Sequence, residues 1–173
     1  MRFGETNCEE ERFFVGCIVF GRVRSDGVIG NAGGGFWGAE VEVCIDGTPG
    51  ETRTLNGPLF SVSPLALRQK LSYLWENKRT VTELVTKNFG TVICMEIGAT
   101  CVGSIHQTFT PGQEVAKGDE KGYFAFGGSS TLLLFEPNSI TLTNDLLESS
   151  RQMIELYAKV GTKAGYQLER DTQ

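Results

Sequence analysis

The sequence predicts a mainly β fold, a compact sandwich or barrel with one or two helices, the last of them an amphipathic helix near the carboxy terminus. Three observations lead there. Short segments rich in Val, Ile and Thr recur between glycine-bearing turns; Thr131 to Phe135 is a continuous apolar run of the kind a strand buried on both faces needs; and apolar residues fall at helical spacing in two stretches.

Met1 to about Pro58 is glycine-rich and poorly periodic, with Gly33-Gly34-Gly35 and Asp46-Gly47-Thr48-Pro49-Gly50 marking turns between short strands. Glu40 to Ile45 alternates polar and apolar residues, as a strand with one wet face does, and Asp46-Gly47 reads as the turn after it. Leu59 to Val62 reads as a short strand. Pro64 then opens a helical stretch that carries Leu67, Leu71 and Leu74. Thr80 to Thr86 and Gly90 to Ile97 form two strands joined by a tight turn at Asn88-Phe89-Gly90. From Cys101 onward short strands alternate with Pro111-Gly112 and Lys117-Gly118-Asp119, closing with Gly122 to Phe126. The final helix starts at Thr143 or Asn144, sets Leu146, Leu147, Ser150, Met153, Ile154 and Tyr157 on one face, and ends at Gly161. Its polar face mixes acidic and basic residues, which favours packing on the sheet over lying on a membrane.

A chain of 173 residues with 40% hydrophobic content can bury one core of ordinary size, so residues 1–173 are expected to form a single domain. Sixteen basic against 21 acidic residues leave a net charge of -5, which offers phosphates no general attraction and sets nucleic acid aside as a partner. The cysteines, Cys8, Cys17, Cys44, Cys94 and Cys101, are odd in number and scattered without a C-x-x-C pair, so neither a disulfide framework nor a metal site is expected. Cys94 and Cys101, in apolar strand-like surroundings, read as buried free thiols in a reducing, intracellular setting. Phe13 to Phe20 is broken by Gly16 and falls well short of the roughly 20 residues a bilayer span needs. It also lacks the flanks of a secretory signal.

The chemistry lies in Lys117 to Phe135, where Gly127-Gly128-Ser129-Ser130-Thr131 runs directly into the apolar strand. Gly-Gly-Ser-Ser by itself reads as a plain turn. It is not a nucleophile elbow, because Thr131 stands where G-x-S-x-G requires glycine, and neither Gly30 to Gly35 nor Gly112 to Gly118 has the spacing of a phosphate-binding loop. A glycine pair nevertheless leaves the Gly128 carbonyl open to close approach, and Ser129 carries a hydroxyl beside it. In a strained loop the hydroxyl could attack that carbonyl and turn the amide into an ester. Loss of the Ser129 α-proton would then eliminate the ester to dehydroalanine, which hydrolyses to a pyruvoyl group. Such a sequence of steps needs oxyanion stabilisation and a placed base.

Several motifs lie in the order and spacing of one family. They are Asn77-Lys78-Arg79, Phe89-Gly90, Ile97-Gly98-Ala99-Thr100-Cys101-Val102-Gly103-Ser104-Ile105, Gly112 with Val115, Lys117-Gly118-Asp119-Glu120, Gly122-Tyr123-Phe124 and Phe126-Gly127-Gly128-Ser129-Ser130. Over about Leu55 to Gly165 the chain resembles the phosphatidylserine decarboxylases. The resemblance implies cleavage between Gly128 and Ser129, with Gly127 and Ser130 as the supporting loop. It implies processed subunits 1–128 and 129–173 that stay together as each other's partners. Ser129 would become the pyruvoyl cofactor, which forms a Schiff base with the substrate amine and withdraws electrons as carbon dioxide leaves; neither pyridoxal phosphate nor a metal is called for. Phosphatidylserine would become phosphatidylethanolamine in a pocket that opens toward lipid, which allows peripheral attachment to a membrane.

The chain departs from the family upstream. Where relatives carry a Tyr-His-Arg-x-His-like segment before a Pro-x-Asp-Gly turn, this sequence reads Gly21-Arg22-Val23-Arg24-Ser25-Asp26-Gly27-Val28-Ile29: Asp26-Gly27 survives and the histidines do not. The aspartate that works with them would fall before Met1, so the chain reads as a fragment or a divergent member with an atypical amino-terminal third. Its one histidine, His106, reads as a surface residue and inherits no catalytic role. Weak or absent self-processing is expected. Other readings are an aromatic L-amino-acid decarboxylase, which some fungal relatives with a Gly-Gly-Ser-Ser junction resemble, and a non-catalytic remnant that binds lipid or an intact subunit. The turn Gly112-x-x-Val115-x-Lys117-Gly118-Asp119 also resembles biotinyl and lipoyl carrier domains, although Met-Lys-Met is missing. Both resemblances imply a barrel-like β-sandwich.

Overall fold

The computed structural model describes residues 14–20, 38–158 and 161–168, the first of these as a strand path. The Gly21–Ile29 stretch and the Gly33–Gly35 turn lie outside the described residues. The fold is mainly β, as expected, with all strand pairs antiparallel. A five-stranded sheet has the order β1 (Phe14–Phe20), β8 (Ser130–Phe135), β5 (Gly90–Ile97), β4 (Arg79–Thr86) and β3 (Thr48–Leu55). A three-stranded sheet has the order β2 (Gly38–Glu42), β7 (Glu120–Ala125) and β6 (Ser104–Gln107). The strands β9 (Ile140–Leu142) and β10 (Gly165–Gln167) form a separate hairpin. The sheets lie as in a sandwich and do not close into a barrel.

The hairpin read from the sequence between Thr80 and Ile97 is present, with unbroken register from Arg79↔Ile97 to Thr86↔Gly90. Its turn closes through Gly90, at φ 71°. Alternation along β4, β5 and β8 sorts side chains into two cores. Met95, Ile97, Leu132 and Leu134 join Phe124, Val102, Ala39, Val41, Leu67 and Leu74 in the larger one. Val92, Cys94, Leu133, Phe135 and Leu84 form the smaller. The expectation that Thr131 to Phe135 is buried on both faces holds, and each of its large apolar side chains contributes on the order of 1.5–3 kcal/mol by leaving water.

Several sequence expectations are corrected. Thr48 to Gly50, read as part of a turn, opens the edge strand β3; Pro49 and a largely exposed face suit it to an edge, where a missing N–H does no harm. Leu59 to Val62 is not a strand, because the backbone of Phe60 bonds to the side chain of Asn77 and not to a neighbouring strand. The helical stretch after Pro64 divides into α1 (Pro64–Gln69), capped by Ser63, and α2 (Tyr73–Glu76), which with α3 (Asn144–Arg151) makes three helices among the described residues. Cys101 is exposed in a turn, not buried in a strand; Cys94 is buried as expected.

The largest correction concerns α3. It stops at Arg151 and does not run to Gly161, and none of its residues is buried, so the expected packing on the sheet is not formed; Leu146 and Leu147 are half-buried at most. The helix ends because Met153 takes the left-handed conformation, at φ 56°. Its N–H bonds to the Ser150 carbonyl and that of Ile154 to Ser149, the paired bonds of a Schellman C-cap in which methionine occupies the place usually held by glycine.

Two outcomes follow from these local environments. Met153 is exposed, so Met153→Gly removes the left-handed strain at no packing cost and should raise stability by about 0.5–1 kcal/mol in urea titration. Burial pushes the Cys94 thiol from 9.0 up to about 12, with Glu96 adding to the rise and Lys121 opposing it. The folded protein holds this proton more tightly than the unfolded chain, so the stability it contributes is complete below about pH 9 and is lost as pH rises toward 12. At pH 8 a thiol reagent should modify Cys94 only upon unfolding.

Candidate functional site

The segment singled out by sequence is the passage from one sheet to the other. The strand β7 belongs to the three-stranded sheet and β8 to the five-stranded one, so Phe126 to Ser129 must carry the chain across. The crossing is tight. Phe126 has φ 65° and Gly127 has φ 145°, two successive residues in backbone conformations that L side chains rarely adopt, and Phe126 keeps its ring 70% exposed. A bulky residue with positive φ costs about 1–2 kcal/mol and persists only where its surroundings hold it.

The chain then turns inward. Ser129 is 8% exposed, and Ser130, wholly buried, lies between Phe20 of β1 and Ile97 of β5 in the strand register. The hydroxyls of Ser129, Ser130 and Thr131 are all buried and find no hydrogen-bond partner among the described residues. Three successive orphaned hydroxyls at the head of a core strand run against the usual rule that buried polar atoms are paired. The sequence-derived residues Gly127, Gly128, Ser129 and Ser130 are therefore together in a strained loop that ends at a buried serine, not in a solvent-washed hairpin.

The loop rests on a second turn. A Cβ at Gly127 would lie 3.1 Å from a methyl of Val102, so glycine allows the close approach. Val102 belongs to a turn closed by reciprocal backbone bonds with Ala99, 2.9 and 2.8 Å, with Cys101 at φ 64°. Lys78 holds this turn by donating from Nζ to the Gly103 carbonyl, 2.6 Å, while its own carbonyl accepts from Gly98 N–H, 2.7 Å. Asn77, wholly buried, donates to the carbonyls of Phe60 and Gly98, each at 2.8 Å, and accepts from Phe60 N–H at 3.1 Å. Asn77-Lys78 and the Gly98–Gly103 segment, far apart in sequence, are thus one support beneath the Gly127 loop.

His106 is exposed on β6 and stacks on Tyr123 with ring centroids 4.8 Å apart, the surface position expected of it. Sequence reasoning missed the buried charges. Glu96, on β5, is 1% exposed, and its Oε1 lies 2.9 Å from Nζ of Lys121 on β7. The signal was present, since Glu96 occupies an inward position in a strand that otherwise alternates Val92 and Cys94.

The strained inter-sheet loop thus leads to a buried serine hydroxyl without a partner among the described residues. The family model for phosphatidylserine decarboxylase matches residues 41–165. The phosphatidylserine decarboxylase proenzyme of Chlamydia pneumoniae is 54% identical over 120 residues, 69% of this chain and 40% of the relative. Those of Chlamydia muridarum and Chlamydia felis are 50% identical over 121 residues and 47% over 124, which cover 40% and 42% of the relatives. The chain belongs to the phosphatidylserine decarboxylase family. It spans about two-fifths of the length of the curated relatives it matches.

Asn77→Ala would strip three backbone groups of their partner, the Gly98 carbonyl buried and the two of Phe60 partly so, with an expected loss of about 2–4 kcal/mol in chemical denaturation. A loss below about 1 kcal/mol would show that the support beneath the loop does not depend on this side chain.

Proposed function

We propose that this chain carries the self-processing junction and catalytic strand of a pyruvoyl-dependent phosphatidylserine decarboxylase, cleaved between Gly128 and Ser129 into segments 1–128 and 129–173. The observation that carries the reading is the buried Ser129 hydroxyl, without a partner among the described residues, just after the Phe126–Gly127 strain. The proenzyme names of the relatives support it.

The residues fit the origin of the cofactor, since a hydroxyl with no competing hydrogen bond among the described residues is free to add to the neighbouring carbonyl. In that step Ser129 Oγ bonds to the Gly128 carbonyl carbon, the C–N bond breaks, and the serine nitrogen leaves as an amine. Removal of the Ser129 α-proton then expels Gly128 as a carboxylate. Hydrolysis of the remaining dehydroalanine releases ammonia. A pyruvoyl group so formed supplies a carbonyl that condenses with the substrate amine and accepts the electrons freed by loss of carbon dioxide. Burial at the head of β8 keeps bulk water from residue 129.

Phosphatidylserine is favoured over an aromatic amino acid by the segment that wraps the Gly98–Gly103 turn. Leu59 packs its methyls against Gly98 and Gly103, while Phe60, Leu65 and Trp75 nearby in sequence remain exposed, a surface suited to acyl chains and to a peripheral seat on a membrane. Lys70 stands over the rings of Phe60 and Tyr73.

With no histidine in Gly21 to Ile29, proton removal lacks its usual agent and processing should be slow. Intact mass of the purified chain should show mostly unbroken protein. Hydroxylamine, which intercepts an ester, should cut at Gly128–Ser129 in the wild type and not in Ser129→Ala. An inert bond under both conditions would overturn the reading.

A further inference from the structure

The scissile loop joins two sheets, so its strain depends on their relative offset. Apolar contacts between them are non-directional and tolerate sliding. The Glu96–Lys121 pair does not. Glu96 Oε2 accepts from Thr80 Oγ1 at 2.6 Å and from Gln107 Nε2 at 3.1 Å. Lys121 Nζ donates to Gln107 Oε1 at 2.7 Å and to Thr82 Oγ1 at 3.2 Å, and Thr82 is in turn 2.8 Å from Thr52 Oγ1. The network therefore runs from β3, β4 and β5 of one sheet to β6 and β7 of the other. Glu96 Oε1 makes no aligned hydrogen bond, so its 2.9 Å contact with Lys121 is Coulombic.

The placement relates to the loop at both ends. Lys121 is on the strand that enters it, at a register shift: Val41 pairs with Gly122 and Glu42 with Glu120, which leaves Lys121 as the extra residue of a β-bulge. Bulges re-aim side chains, and here the lysine is 6% exposed. Glu96 pairs across the ladder with Thr131 on the strand that leaves the loop, two residues after Ser129, and alternation puts both side chains on the same face. Buried ion pairs add little net stability compared with apolar residues of the same shape, but they can specify one registration among several.

We propose that the buried Glu96–Lys121 pair is a positioning device for self-processing: it locks the offset between the two sheets and thereby holds the Phe126–Ser129 loop in its strained form. This rests on the cleavage proposed above. Both residues act through the loop and neither touches the reacting atoms.

The test is the double variant Glu96→Leu/Lys121→Met, which replaces both charges with apolar side chains and leaves none unpaired. Its melting temperature should stay within about 5 °C of wild type or rise. Amide exchange across 126–131 should become about tenfold faster, with the 82–92 hairpin unchanged. Cutting by hydroxylamine at Gly128–Ser129 should slow by about tenfold. Lys121→Arg, which keeps the charge, should behave like wild type in both. Loop exchange and cutting within about twofold of wild type in a folded double variant would overturn the proposal. Should that variant not fold, Gln107→Leu, which removes the bridge shared by both charges, takes its place with the same two readouts. Because exchange is read on the unbroken chain, a loosened loop with no ester trapped in wild type defeats the cleavage reading; a trapped ester with an unaltered loop defeats only this one.

Discussion

The structure depends on β8 being held from every side. Its backbone pairs with β1 along one edge and β5 along the other, and its side chains enter both cores. A strand so placed cannot shift without breaking the pairing on both edges and the packing on both faces, so the location of Ser129 at its head is tightly specified. Everything irregular about the loop before it, including the exposed Phe126 with positive φ, is strain maintained against that fixed end.

The other end of the loop is set by different means. The strand β7 belongs to a sheet of three strands only, and the loop leans on Val102 in a turn that depends on Asn77 and Lys78. Polar side chains are used there because the segment 57–60 and the Gly98–Gly103 turn present backbone groups that no strand can pair. One amide side chain satisfies three of them and makes the arrangement specific. The Glu96–Lys121 network has a similar character: directional contacts link two sheets joined mainly by apolar packing.

Legibility from sequence followed the range of the interactions. The β4–β5 hairpin, the buried run of β8 and the glycine-serine loop were readable because each is written in neighbouring residues. The edge strand β3 was hidden by Pro49 and Gly50, residues tolerated there because one side of the strand faces solvent. The final helix was overextended because Met153 continues an apolar pattern that the backbone abandons, the Schellman bonds to Ser149 and Ser150 outweighing periodicity over so short a helix. Glu96 was marked by its inward place after Val92 and Cys94, whereas Lys121 was opaque, since its burial depends on a partner 25 positions away and on a bulge with no mark in composition.

By itself the sequence determined the family, the mainly β class and the serine at the strained junction, because all three depend on local order: glycines where the backbone turns sharply, a hydroxyl beside a carbonyl, and an apolar run that must be buried. The tertiary structure alone decided that this hydroxyl is buried and without a partner among the described residues, that the junction spans two sheets, and that a buried charged pair links those sheets. Those properties arise from which distant strands meet, and the free energy that selects one meeting over another is spread over both cores and not carried by any one segment.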